Sequence, residues 1–152
     1  MSIQIEDKAP NFVLINQLGF KIRLFDLIGA KNIVLFFYPK DDSPGCTKEA
    51  CAFRDSYEVF QEYGAEVIGI SSDNEDSHKR FTEKYSLPYT LLSDVEGKVR
   101  KIYGVPKTMR ILPGRVTYII DKQGVVKHIF NSQLNFKGHI EEALNILKQL
   151  KN

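Results

Sequence analysis

With 152 residues, 43% of them hydrophobic and 26% charged, the chain is long enough to bury roughly 70% of its unfolded surface in one domain, with no need of disulfides as staples. The net charge of +2 is spread without blocks of one sign, so the sequence offers neither nucleic acid nor an anionic membrane a concentrated basic patch. The longest purely apolar run, Ile33 to Phe37, is far too short to span a bilayer, and the N-terminus MSIQIEDKAP has neither a basic start nor an apolar signal core; a reducing cytoplasm is the expected compartment.

Phe12 to Ile15 and Lys21 to Phe25 flank the turn-like Asn16-Gln17-Leu18-Gly19, which predicts an N-terminal β-hairpin. Asn32 to Tyr38, rich in Ile, Val and Phe, reads as a strand buried on both faces. From about Cys46 to Tyr63 the apolar positions Ala50, Phe53, Tyr57 and Phe60 recur at helical spacing, and Gly64 is placed to cap that helix. A strand at Glu66 to Ser71, a helix at Glu75 to Tyr85, a strand at Thr90 to Ser93 and a short helix near Val95 to Tyr103 follow. Beyond the irregular VPKTMRILPG come Val116 to Asp121 and Val125 to Phe130, a hairpin closed by Lys122-Gln123-Gly124. The last helix, Gly138 to Leu150, carries Ile140, Ala143, Leu144, Leu147 and Leu150 as one apolar stripe. This order predicts one α/β domain over residues 1–152, a thioredoxin-like mixed central sheet with helices on both faces.

Both cysteines, Cys46 and Cys51, fall in YPKDDSPGCTKEACAFR. Cys46 sits where loop becomes helix, so unpaired backbone N–H groups and the positive end of the helix dipole are expected to favour its thiolate. Pro44 and Gly45 just before it and the polar Thr47, Lys48 and Glu49 after it predict an exposed site. Cys51, one turn further on, reads by itself as a small hydrophobe. Five residues along an ideal helix set the two Cα atoms roughly 8.6 Å apart. A disulfide needs them within about 7 Å. Either the pair never forms or the first turns unwind, and the loop DDSPG supplies few apolar anchors to prevent that.

Around Cys46, Ser43 can bring a hydroxyl to the sulfur or serve ordinary turn chemistry before Pro-Gly. Pro39 and Pro44 stiffen the loop. Glu49 fits either an arginine partner or a solvated helix face. Arg115, which leads straight into a β-rich run, can stabilise negative charge at the site or make a surface ion pair.

The run YPKDDSPGCTKEACAFRD resembles the active-site segment of the peroxiredoxins: Pro39, three residues, Ser43, two residues, Cys46. The second cysteine five positions on is similar to the bacterioferritin comigratory protein, or peroxiredoxin Q, branch, and the likeness runs from Asp7-Lys8-Ala9-Pro10 to the last helix. LPGRVTYIID and FNSQLNFKGHIEEAL resemble its cyanobacterial and chloroplast members. The resemblance implies a thioredoxin-dependent peroxidase without metal or other cofactor, monomeric, reducing hydrogen peroxide and alkyl hydroperoxides with thioredoxin, or glutaredoxin, as reductant. It makes Cys46 the peroxidatic cysteine and Cys51 the resolving one, joined in an intramolecular disulfide. Ser43 would orient the peroxide, Arg115 would be the active-site arginine, Pro39 would shield the site and Glu49 would orient the arginine. The departure is Ser43, where the family usually has Thr: the hydroxyl is kept and the methyl that restricts its rotamer is lost.

Three other readings compete, of which a non-catalytic binding domain would leave Ser43, Cys46 and Arg115 without a shared purpose. A thiol-disulfide exchange enzyme on the same fold normally spaces its cysteines Cys-x-x-Cys, which this chain does not. A metal module would use both cysteines with His78, His128 or His139, but these histidines have no ligand-like spacing and read as surface or packing residues.

Overall fold

The computed structural model describes residues 3–105, 107–108 and 112–151. Seven strands form one mixed sheet in the order β2-β1-β5-β4-β3-β8-β9. The central β3 (Asn32–Phe37) runs parallel to β4 (Ala65–Ser71) and antiparallel to β8 (Val116–Ile120). Every residue of β3 is buried, because helices cover both faces of the sheet. Its alternation splits the interior in two. Val34 and Phe36 point into one core with Phe53, Phe60, Phe81 and Leu147, while Ile33, Leu35 and Phe37 enter the other with Phe12, Val99, Tyr103 and Tyr118.

The N-terminal hairpin is β1 (Val13–Asn16) with β2 (Lys21–Arg23), and β1 also pairs antiparallel with β5 (Thr90–Ser93). Leu24 and Phe25, expected to finish the second hairpin strand, instead open a short helix, α1 (Leu24–Leu27), whose Leu24 is fully buried. β8 pairs with β9 (Val126–Asn131) as the second hairpin. Helices α4 (Glu75–Tyr85), α5 (Lys98–Tyr103) and α6 (Phe136–Leu150) fall where the periodicity puts them, and Asn74 and Asn135 cap α4 and α6 by accepting from the third residue beyond. The stretch VPKTMRILPG lies partly outside the described residues; inside it β6 (Lys107–Thr108) pairs with β7 (Leu112–Pro113).

One predicted helix is two. α2 (Pro44–Asp55) begins two residues before Cys46, with Pro44 at the first helical position, where its missing N–H costs nothing. Ser56, at φ −103° and ψ 2°, then interrupts the helix, and α3 (Tyr57–Glu62) starts afresh with Phe60 N–H donating to Ser56 O. The apolar spacing hides this break because Phe53 and Phe60 still meet, their ring centroids 5.7 Å apart.

The sheet needs one glycine to seat α2. A Cβ on Gly69 of β4 would lie 2.7 Å from Phe36 Cζ, and that ring stacks on Phe53 of α2 with centroids 4.3 Å apart. Through this stack the helix that carries both cysteines is anchored to the central strand.

Candidate active site

The inner face of α2 reads Cys46, Glu49, Ala50, Phe53, all buried, at the i, i+3, i+4, i+7 spacing of one helical stripe. Cys46 therefore extends the apolar periodicity and is not the exposed residue its polar neighbours predict: it is 1% exposed. Its sulfur is nonetheless reached by polar donors. Arg115 Nη2 donates to Sγ at 3.4 Å and the Lys40 backbone N–H at 3.5 Å. As the third helical residue, Cys46 also lies within the first turn, whose N–H groups lack intrahelical acceptors. Two donors, one of them a fixed cation, suit a sulfur that carries negative charge.

Arg115 is not a surface ion pair. It is 4% exposed, and its other nitrogens are committed: Nη1 donates to Glu49 Oε1 at 2.8 Å and Nε to the Gln133 carbonyl at 3.2 Å. Its guanidinium carbon also lies 4.9 Å from the centre of the Phe136 ring. Gly45 makes this approach possible, since a Cβ there would sit 3.2 Å from Arg115 Nη2 and 3.1 Å from Phe136 Cζ. Of the two roles open to Glu49, the structure selects the arginine partner: it is fully buried one turn past Cys46.

The half-buried Ser43 stands at the N-cap of α2 without making a side-chain cap. Its hydroxyl donates to the Lys40 carbonyl at 2.9 Å, turned back into the loop. Pro39 is half-buried between β3 and that loop. Cys51 is partly buried on the same unbroken helix as Cys46, and both are free thiols. Burial pushes the Cys51 thiol up, opposed by nearby Arg54 and reinforced by Asp55. A disulfide between them requires α2 to lose its first turns.

The loop before Cys46, expected to be loosely held for want of apolar anchors, is held by polar ones. Asp41 Oδ1 accepts from Tyr38 OH at 2.6 Å, and Oδ2 accepts from Ser77 Oγ at 2.9 Å with His78 Nδ1 2.7 Å away. Asp41 N–H donates to Asp73 Oδ2, and His78 Nε2 to the Leu92 carbonyl. Asp42, at φ 59°, is tied down by Lys84 and Tyr85. These bonds fix the loop that presents the Lys40 N–H to the sulfur. Ligand atoms of Asp41, Asp73 and His78 lie within 4.8 Å of one another, but protein donors occupy them. The sequence reading missed this knot; the signal was His78 sharing the inner face of α4 with Phe81 three residues on.

It also missed His139, which is fully buried on α6 beside Ile140 and Ala143. Its Nε2 donates to the Ser132 carbonyl at 2.8 Å and its Nδ1 accepts from Thr117 Oγ1 at 2.7 Å. Burial pushes its pKa down to about 4, with the Ser132 bond opposing and Arg115 adding to the fall. The unfolded chain binds a proton at about 6.5 that the folded chain refuses down to about 4, so the stability this residue contributes is complete above about 6.5 and lost as pH falls through about 4. His139→Gln, which cannot titrate, is expected to lose less stability on acidification than wild type, by on the order of 3 kcal/mol, in urea unfolding followed across that window. Parallel curves for the two proteins would contradict the assignment.

The sequence pattern of the AhpC/TSA family matches residues 5–129. The chain is 53% identical over 143 residues to the chloroplastic peroxiredoxin Q of Sedum lineare, covering 93% of this chain and 76% of that protein. It is 55% identical to the chloroplastic peroxiredoxin Q of Oryza sativa subsp. japonica over 93% of this chain, and spans 65% of that relative's length. Among solved structures, peroxidoxin BcpB of Mycobacterium tuberculosis superposes with a TM-score of 0.91 at 35% identity, over 99% of both chains. Peroxiredoxin Q of Xanthomonas campestris does so with a TM-score of 0.86 at 28% identity, over 93% of this chain and 92% of that one. Fold and sequence agree, and the chain belongs to the AhpC/TSA family, with peroxiredoxin Q proteins as its relatives.

Proposed function

We propose that this protein is a thiol peroxidase that reduces hydrogen peroxide and alkyl hydroperoxides at Cys46 and is recycled by thioredoxin, or by glutaredoxin. The observation that carries the proposal is a sulfur nearly sealed from solvent yet in contact with a guanidinium and a backbone N–H. The anionic sulfur attacks one peroxide oxygen, an S–O bond forms as the O–O bond breaks, and the other oxygen leaves as water or alcohol after taking a proton. Arg115 meets the charge that builds on the departing oxygen, and Glu49 holds Arg115 in place. Ser43, by rotating its hydroxyl away from Lys40, orients the peroxide, and Pro39 keeps water from the site.

Cys46 is left as a sulfenic acid. α2 then frays from its N-terminal end, the Cys51 thiol attacks the Cys46 sulfur, water leaves and a disulfide forms. A dithiol reductant restores both thiols by exchange. Burial of Cys51 keeps it protonated while the helix is intact, which favours reaction at Cys46 first.

One equivalent of hydrogen peroxide is expected to take the titratable thiols from two to none while the protein still elutes as a single chain. Cys51→Ser should be oxidised once and then fail to turn over with thioredoxin. Full-rate recycling of Cys51→Ser, or loss of thiols through a cross-linked dimer, would overturn the resolving role.

A further inference from the structure

Glu49 from α2, Arg115 just ahead of β8, Thr117 from β8, and His139 from α6 meet behind Cys46 in the interior. One oxygen of Glu49 is paired with Arg115, but Oε2 is buried with no hydrogen-bond partner among the described residues. Its near neighbour is His139 Nδ1 at 3.6 Å. That distance resembles an ion pair, yet the histidine's own bonds argue against one. Nε2 gives its hydrogen to the Ser132 carbonyl, which fixes the tautomer, and the lone pair of Nδ1 takes the Thr117 hydroxyl. Nδ1 therefore has no proton to offer. Thr117 satisfies Nδ1, but nothing supplies Oε2 with a hydrogen, and an ionised carboxylate there would be an acceptor facing an acceptor.

A charge count points the same way. An anionic Cys46 sulfur, an ionised Glu49 and a single Arg115 would leave a net negative charge in the interior, just where the reaction builds more. Tyr89, a further ionisable group near Glu49, donates its hydroxyl to the Ala50 carbonyl, and burial keeps it neutral.

We propose that Glu49 works as a neutral carboxylic acid whose proton sits on Oε2 and shares the Nδ1 lone pair of His139 with the Thr117 hydroxyl, and that His139 is a positioning residue that keeps it there, leaving the charge of Arg115 uncompensated for the sulfur and the peroxide. This deepens the peroxidase reading and rests on it. Burial pushes Glu49 up to about 7 against the pull of Arg115, and burial holds His139 neutral. As pH rises through that region Glu49 ionises, Arg115 becomes the shared counter-ion of two anions, and its grip on the reacting oxygens weakens.

The test follows the proton and the rate together in the full chain. Infrared difference spectra between about pH 6 and about pH 8 are expected to show a protonated-carboxyl band that vanishes on raising the pH and is missing in Glu49→Gln. Nitrogen-15 spectra of His139 should show the neutral Nε2–H form throughout. The rate of Cys46 oxidation by hydrogen peroxide should fall roughly tenfold on the alkaline side, a limb that Glu49→Gln flattens. His139→Leu, which removes the acceptor, should move the midpoint of that limb to lower pH, and His139→Gln should bring it back. A doubly protonated His139 with no carboxyl band, a limb that survives in Glu49→Gln, or a midpoint indifferent to residue 139 would overturn the proposal. If wild type consumes no peroxide, the peroxidase reading falls, while the infrared and nitrogen spectra still decide where the proton lies.

Discussion

Cys46→Ser is expected to lower peroxide consumption by on the order of 10⁴-fold or more, to the background of the solution, while the protein keeps its fold. The substitution replaces one sulfur by an oxygen at a buried position between Ala50 and the loop that donates the Lys40 N–H. A hydroxyl there is neutral, smaller and far less nucleophilic. The fold has little stake in that atom, because the anchors of α2 are Ala50 and Phe53 rather than the thiol, so the melting temperature should move by only a few degrees. Peroxide-electrode traces and a thermal melt on the same sample check both halves. Residual turnover in this variant would mean that Cys51, or some other group, reacts directly.

Arg115→Met is expected to cost roughly 10²- to 10³-fold in the rate of the first oxidation, since it strips the charged donor from the sulfur and from the departing oxygen. It also removes the partner of a fully buried carboxyl group. Breaking a buried pair in this way typically costs about 3–5 kcal/mol when the remaining charge stays. Glu49 leaves no such charge, for burial already holds it near a pKa of about 7 and without the downward pull of the guanidinium it stays protonated at neutral pH. The stability loss should therefore fall below that range while the kinetic loss does not. Arg115→Lys separates charge from shape: a single ammonium cannot span Glu49 Oε1, the Gln133 carbonyl and Cys46 Sγ as the guanidinium does, so it should recover stability more than rate. Quenched-flow peroxide consumption beside urea unfolding of the three proteins measures both. Equal recovery of rate by lysine would show that charge alone suffices.

The strands and helices were legible where a pattern of period 2 or 3.6 is all that defines them. Asn32 to Phe37, α4, and the hairpin of β8 and β9 are of this kind. The break at Ser56 was not, because Phe53 and Phe60 keep one apolar phase across it. The cysteine pair stood out through its setting after Pro44-Gly45, but the depth of Cys46 was misjudged from its polar neighbours, one of which, Glu49, is itself interior. A polar residue on a buried stripe declares only that it needs a partner. The partner of Glu49 is 66 residues away, just ahead of β8, and that of Asp41 is 37 residues away in α4. Pairing across such separations is made by the sheet order, which one sequence does not print, and so Arg115 and Glu49 were legible as partners only through the family resemblance, while the loop anchors and His139 had to come from the structure.

The central claim is that peroxide is reduced by the one sulfur that Arg115 touches, inside an intact first turn of α2. Its most direct measurement is a single-turnover oxidation of Cys51→Ser in the presence of a dimedone-type probe, which captures sulfenic acid, with the labelled position then located by peptide mass spectrometry. The account predicts one label per chain, on Cys46, formed as fast as peroxide disappears. A protein that consumes peroxide while Cys46 stays unlabelled and its thiol intact would contradict it.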